Sequence, residues 1–274
     1  MNDALERPEL TDRLAALLGP KGLTTDAQDL APWLTDWRGR YHGAAMAMVA
    51  PANTQELAEI VRLASETGTP IVPQGGNSGM VGGATPDSGG SALLLSTRRM
   101  NAIRAIDPAA RTVVAEAGVV LQTLHEAVAA QGLRFPLTLG GKGSATVGGL
   151  VSTNAGGTQV LRHGTMRALV EGLEAVLPDG SIYNGLATLK KDNRGYDIRH
   201  LLVGAEGTLG IVTAATLKLV PALIDRAVVW AGVRSPLAAR ELLLMLEARA
   251  GREMEGFEIV PQRCLANVLH HIPG

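Results

Sequence analysis

Residues 73–83, PQGGNSGMVGG, follow a short apolar run (Thr69, Pro70, Ile71, Val72), and five of the eleven are glycine. Glycine lacks a Cβ and tolerates positive φ, so such a loop can turn consecutive backbone N–H groups toward one ligand. N–H groups gathered in a concavity bind anions, phosphate above all. The plainer alternative is a flexible surface loop, because glycine clusters mark loops of every kind. A second stretch, residues 136–157, PLTLGGKGSATVGGLVSTNAGG, carries seven more glycines with Ser144, Thr146, Ser152, Thr153 and Asn154. Two such segments separated by a strand-rich stretch suggest one ligand held from two sides.

The spacing excludes the familiar nucleotide loops. Walker A requires Gly-Lys-Ser/Thr, but Gly141-Lys142 is followed by Gly143. The dinucleotide fingerprint requires G-x-G-x-x-G. No two of Gly75, Gly76, Gly79, Gly82 and Gly83 are two apart, and Gly141-Lys142-Gly143 meets Thr146 where the third glycine belongs.

The elements that must hold these loops alternate between strand and helix. Residues 10–18 read as a short helix, and Trp33, Trp37, Arg38 and Tyr41 lie in an irregular segment before the strand MAMVAP. Asn53 with Glu56 three residues on forms a capping box. Leu57, Ile60, Val61 and Ala64 then follow at helical spacing up to Gly68. The strand 70–73 completes a βαβ unit and places the first loop at a strand's carboxyl end, where α/β sheets bind ligands. Strands are expected at 92–96 and 111–117, and a helix at 120–131 with Leu121, Leu124 and Val128 on one face and His125 partly exposed. Arg162-His163-Gly164 suggests a tight turn. Strands 170–177 and 181–184 flank the turn Pro178-Asp179-Gly180. A polar loop at 190–195, the glycine-spaced run 204–210 and a strand 211–220 follow.

Beyond Pro221 a strand at 226–233, a helix at 236–250 with proline at its start, and a strand at 256–260 begin a second domain. A lone β-α-β unit cannot cover both faces of its strands, so a further stretch of chain or a partner must complete it. The expected division is 1–221 and 222–274.

Composition narrows the function classes. The 274 residues suffice for one large or two ordinary domains, with 46 % apolar and 19 % charged residues. Aromatics are 3 %, so Leu, Val, Ile, Ala and Met must build the core. The formal charge of −1 with dispersed Lys and Arg argues against a nucleic-acid surface. The single cysteine, Cys264, excludes internal disulfides and reads as a small apolar filler rather than a nucleophile. No apolar run approaches the ~20 residues that span a bilayer, and MNDALERPEL has no apolar signal core. The expectation is a soluble, cytoplasmic chain.

Four segments together resemble a known family: PQGGNSGMVGG, GGKGSATVGGLVSTNAGG, GLEAVLPDG and KKDNRGYDIRHLLVGAEGTLGIVT. They resemble the FAD-binding domain of the vanillyl-alcohol oxidase / p-cresol methylhydroxylase class over roughly residues 33–220. Within that class they are most similar to the D-2-hydroxyacid dehydrogenases acting on D-lactate, glycolate and D-2-hydroxyglutarate. The resemblance implies an α+β, two-part FAD-binding domain of the p-cresol methylhydroxylase type (about 30–107 and 108–221), then the start of an α+β cap domain.

By position, it implies that Pro73, Gly75, Gly76, Asn77, Ser78, Gly79, Met80 and Val81 wrap the FAD pyrophosphate. Leu139, Gly143, Ser144, Gly148, Gly149, Ser152, Thr153 and Asn154 would contact the pyrophosphate, ribose and flavin side, and Glu206, Gly207 and Ile211 the adenine end. Some members attach flavin through a histidine in the first loop; Asn77 stands in the comparable place here, which implies noncovalent FAD. Hydroxyglutarate-type members usually carry Asp where this chain has Thr138.

In such enzymes the flavin accepts a hydride equivalent from the hydroxyl-bearing carbon, and a base takes the hydroxyl proton. The implied partners are a small 2-hydroxy acid, an electron acceptor, and a second copy or chain completing the cap. Two alternatives stay open: an FAD-binding fragment or subunit without independent turnover, and an NAD(P)H-dependent reductase of the same class. Lys190, Lys191, Arg38 and His163 read more simply as surface charges, and no catalytic residue is assigned. No metal site is expected, since the side chains of His270 and His271 diverge.

Overall fold

The computed structural model describes residues 7–187, 189 and 191–272. Lys190, expected as a loop charge, lies outside the described residues. The chain begins with α1 (Arg7–Gly22), broken at Gly19 where φ is 60° just before Pro20, followed by β1 (Leu23–Thr24) and α2 (Ala27–Leu30). A 3-10 turn, Ala31–Trp33, leads to β2 (Ala47–Val49), α3 (Thr54–Thr67), β3 (Ile71–Gln74) and β4 (Leu93–Ser96). These strands form one sheet in the order β1-β2-β4-β3, with β2 and β3 both parallel to β4 and β1 antiparallel to β2.

Capping and burial divide the work in α3. The Asn53 side chain accepts from the Glu56 N–H at 2.9 Å, while the Glu56 carboxylate reaches back to the Ala52 N–H at 2.7 Å and to the Asn53 amide. Such a cap is worth about 1 kcal/mol. Leu57, Ile60, Val61, Leu63 and Ala64 are buried, and each large one contributes about 2 kcal/mol. The cap therefore sets where the helix starts, and the stripe sets where it docks. That docking face meets α1 and sheet residues such as Leu93 and Leu95, while Leu30, Met48 and Leu94 close the opposite face. β4 is accordingly buried at all four positions, as a parallel strand covered on both faces should be.

The second half is antiparallel. It comprises β5 (Ile103–Asp107), β6 (Thr112–Glu116), α4 (Leu121–Ala129), β7 (Leu133–Arg134), α5 (Val147–Ser152), α6 (Val160–His163) and α7 (Met166–Leu169). There follow β8 (Val170–Val176), β9 (Ile182–Gly185), α8 (Ile198–Leu202), β10 (Ile211–Lys218) and β11 (Val220–Pro221). The main sheet runs β5-β6-β10-β8-β9, and β11 pairs with β7. Its core unites Val113, Leu121, Leu124, Val147, Leu173 and Leu217, among others, and Phe135 is its one fully buried aromatic. β8 and β10 are buried on both faces because α4 and α5 cover one face and α3 reaches the other. The architecture is the expected α+β fold in two parts.

At 162–164 the expected turn is the end of α6, stopped by Gly164 at φ 75°. Two strand expectations are overturned. Residues 226–233 and 256–260 lie in no ladder; of the second unit only α9 (Pro236–Ala250), a 3-10 turn Gly251–Glu253 and α10 (Gln262–His271) form. A strand needs a neighbour for its N–H and C=O groups, and none lies beside either segment among the described residues. Val228, Val229 and Trp230 consequently stay exposed. Cys264, expected as an apolar filler, is exposed on α10, none of whose residues is buried.

Candidate functional site

Three segments distant in sequence converge where the two halves meet. β3 runs straight into the first glycine segment, and its last residue, Gln74, is 1 % exposed. The Gln74 amide donates to the carbonyls of Trp33 (3.0 Å) and Ala84 (2.9 Å), tying the 3-10 turn and the far end of the loop to the strand, while its Oε1 is buried without a partner among the described residues. Asn77 donates from Nδ2 to the Thr35 carbonyl at 2.8 Å. The adjoining turn is built on Asp36, whose carboxylate accepts the N–H groups of Arg38, Arg40 and Tyr41. Those bonds, led by the one from Tyr41, hold its carboxyl below the usual range.

The first segment touches the second through bare backbone. An ideal Cβ at Gly75 would lie 2.3 Å from Thr146 Oγ1, and one at Gly76 would lie 1.6 Å from the Ser144 carbonyl oxygen. Ser78 approaches Gly141. Gly75 to Gly79 donate no backbone hydrogen bond to an acceptor among the described residues. Five successive N–H groups without protein acceptors are the donor set an anion requires.

The second segment forms α5, capped by Thr146, whose Oγ1 accepts from the Gly149 N–H at 3.4 Å. Gly148 packs on Ala117, where a Cβ would meet another at 2.7 Å. The third segment closes on this helix: the Glu206 N–H donates to the Ser152 carbonyl (2.9 Å) and the Gly204 N–H to that of Val151 (3.1 Å). Arg167 ties the second segment to α8. Its N–H donates to Asn154 Oδ1 at 2.9 Å, and its guanidinium donates to the carbonyls of His200 and Val203, each at 2.5 Å. The third segment also meets the first, since a Cβ at Gly207 would lie 2.8 Å from Pro73 Cγ and one at Gly83 would lie 3.2 Å from Glu206 Oε2.

Each segment holds one non-glycine residue in the left-handed region: Asn77 (φ 48°), Asn154 (φ 47°) and Glu206 (φ 50°). Such residues are uncommon and concentrate where a loop is shaped for a ligand. Beside them Pro73, Gly207 and Ile211 line a cleft of about 260 Å³ with Ile71, Val61 and Val176.

A buried carboxylate fixes the two halves. Glu174 on β8 accepts from Thr54 Oγ1 at the start of α3 (2.6 Å), from Thr213 Oγ1 on β10 (2.8 Å) and from Arg104 Nη2 on β5 (3.0 Å). Burial pushes its carboxyl upward, but these donors outweigh burial and hold it below its ordinary 4.5.

Of the residues singled out in the sequence, Pro73, Gly75, Gly76, Asn77, Ser78, Gly149, Ser144, Ser152, Asn154, Glu206, Gly207 and Ile211 come together. Gly148 serves helix packing, the Thr153 hydroxyl donates to the Gly149 carbonyl, and Leu139 lies beside Gly141. Among the described residues an ideal Cβ at Gly143 would meet only Gln122 and one at Gly79 would meet nothing, while Met80 and Val81 are exposed at the loop's tip. Sequence reasoning missed Gln74, Arg167 and Thr35. Only Gln74 carried a signal, as a polar residue ending an apolar strand.

Residues 45–185 match the profile of the FAD binding domain family. The chain is 39 % identical over 263 residues to the mitochondrial D-2-hydroxyglutarate dehydrogenase of Bos taurus, covering 95 % of this chain and 48 % of the relative. It is 37 % identical over 258 residues to that of Arabidopsis thaliana, covering 94 % and 46 %. The chain thus spans about half the length of these relatives. Among solved structures, an alkyldihydroxyacetonephosphate synthase superposes with a TM-score of 0.70 at 24 % identity, over 81 % of this chain and 42 % of that one. The cytoplasmic location expected from sequence is overturned by these relatives, both of which are named as mitochondrial.

Proposed function

The chain belongs to the FAD binding domain family, and on that premise we propose that its glycine segments hold FAD noncovalently in an enzyme that oxidises a D-2-hydroxy acid to the 2-oxo acid. The observation that carries the cofactor reading is the closure of Gly75 and Gly76 on Ser144 and Thr146, together with N–H groups of residues 75–79 that have no acceptor among the described residues. These groups suit a diphosphate, whose charge is spread over oxygens that accept several short bonds at once.

In this reading Pro73 to Val81 and Leu139 to Asn154 grip the diphosphate and ribose, and Glu206, Gly207 and Ile211 hold the adenine end along the cleft. Residues 7–221 form the cofactor unit, its halves parting between β4 and β5 rather than at 107, and residues from 222 onward belong to a separate one. The first loop supports noncovalent binding, since it has no histidine, cysteine or tyrosine and its Asn77 amide is engaged by Thr35. Bound FAD supplies the hydride acceptor of the reaction. The chain's own contribution is orientation: Arg167, Gln74 and Glu174 keep the three segments in register so that little reorganisation accompanies binding. The substrate class, a small 2-hydroxy acid, rests on the names of the dehydrogenase relatives, and a separate electron acceptor completes the turnover.

A second reading, in which these residues bind FAD without turnover of their own, is favoured by the strandless segments with Val228, Val229 and Trp230 exposed. Pairing with a second copy or another polypeptide would then cover them. The absorbance spectrum of the purified chain, with heat release and chromatography of any yellow chromophore, tests the shared premise; a colourless chain that takes up no added FAD overturns it. Anaerobic addition of D-2-hydroxyglutarate, D-lactate and glycolate separates the two readings. Bleaching of the flavin supports the first, and a flavin unchanged by all three supports the second.

A further inference from the structure

At the two ends of the second glycine segment, three basic side chains from two places in the chain meet around one carboxylate, that of Glu255. Arg134 on β7 donates with both ends of its fork to Glu255, with Nη1 3.2 Å from Oε2 and Nη2 on Oε1. Arg162 Nη1 stands 3.1 Å from the same Oε1, and His163 Nε2 lies 3.4 Å from it. Glu255 Oε1 is therefore the focus of three donors of two kinds, whereas an ordinary surface pair offers one. The four side chains are between 13 % and 24 % exposed, so their attraction is screened less than that of surface charges.

The cluster carries more positive charge than its occupant neutralises, because two guanidinium groups face one carboxylate. Burial lowers the His163 imidazole from its ordinary value, against the opposing bond to Glu255. Arg134 Nε is buried without a partner. Glu255 itself belongs to a stretch, 254–260, with no helix or ladder. What seats it, besides the carboxylate, is Gly256 against the Thr158 carbonyl, where a Cβ would lie 2.4 Å from the oxygen.

We propose that Arg134, Arg162 and His163, which flank the second glycine segment, form a carboxylate-binding site that Glu255 occupies in this chain and that a free small carboxylate enters once the Glu255 side chain is removed. A bidentate guanidinium fixes the plane of the carboxylate, and the second guanidinium with the imidazole saturates one oxygen. The site ties residues 254–256 to β7 and α6 by recognition of a carboxylate rather than by secondary structure. It stands on this geometry alone and does not depend on the flavin reading.

Chemical rescue tests it in the full 274-residue chain. E255A should lower the thermal midpoint by about 3 °C or more in sodium chloride. Sodium acetate at matched ionic strength should recover at least half of that loss, rising with the logarithm of its concentration. The unsubstituted chain should melt alike in both salts, because its own carboxylate fills the site. Adding R162A to E255A should abolish the recovery. Identical behaviour of E255A in the two salts, or recovery that survives R162A, overturns the proposal. Should E255A fail to accumulate folded, E255Q keeps the shape but sets an amide NH2 among donors; an E255Q chain as stable as the original equally overturns it.

Discussion

An ideal Cβ at Gly76 would stand 1.6 Å from the carbonyl oxygen of Ser144, so the two glycine segments meet backbone to backbone. Neither partner is the end of a flexible side chain, and relief requires one main chain to move. The shared wall of the proposed cofactor site therefore depends on the absence of a single carbon.

Gly76→Ala should accordingly cost about 2–3 kcal/mol of stability and reduce FAD content at least about tenfold, which corresponds to only 1.4 kcal/mol of binding. Gly79→Ala, with open space around the same atom, should change stability by less than about 0.5 kcal/mol. Flavin-to-protein absorbance ratios and urea midpoints measure both, and a G76A chain with ordinary FAD content and midpoint would refute the contact.

Asn77 combines a left-handed backbone (φ 48°) with a side-chain bond to the Thr35 carbonyl. Asn77→Gly keeps the conformation and loses the bond, an expected cost of about 1 kcal/mol. Asn77→Val loses the bond and forces a β-branched residue into that region, at about 3 kcal/mol. Urea unfolding of the pair checks the order; a valine variant as stable as the glycine variant would show that the loop is not held at positive φ.

Glu174 makes stability depend on pH in a defined direction. Its folded carboxyl titrates below the ordinary 4.5, so its contribution is complete above that value and is lost as pH falls through the depressed one. Glu174→Gln should cost about 2 kcal/mol at neutral pH through the lost charged bonds to Arg104 and the two threonines. The difference between original and variant should shrink as pH falls below 4.5 and through the depressed folded value. Urea midpoints across that range give the answer, and a constant difference would sink the assignment.

Arg167 joins Asn154 to the carbonyls of His200 and Val203. Arg167→Lys cannot span both carbonyls from one point charge. It should weaken FAD binding about tenfold while costing about 1–2 kcal/mol of stability. Fluorescence titration of the apoprotein with FAD measures the first; unchanged affinity would mean that the tie does not hold the segments for the cofactor.

Much of this chain could be read without coordinates, because the signals were local. The Asn53–Glu56 cap, the Leu57-Ile60-Val61-Ala64 stripe and the apolar run of β4 each lie within one element, and each formed where expected. The strands expected at 226–233 and 256–260 show the limit of the same reasoning. Local propensity was present there, but a ladder needs a neighbouring strand, and a sequence window contains no information about neighbours.

By its residue types and spacing alone, the sequence determined the two glycine-rich segments, their place at a strand end, and the exclusion of P-loop and Rossmann geometry; the family followed from the resemblance of four segments to known ones. Only the tertiary structure decided that Gly76 abuts Ser144, that Glu174 bolts Thr54 to Thr213, that Arg167 ties the second segment to α8, and that Arg134, Arg162 and His163 converge on Glu255. The reason is physical. A glycine run states what a backbone is free to do, whereas contacts between residues scores of positions apart follow from how two sheets and a helix bury their apolar faces together. That packing is a property of the whole chain, and no periodicity or spacing encodes it.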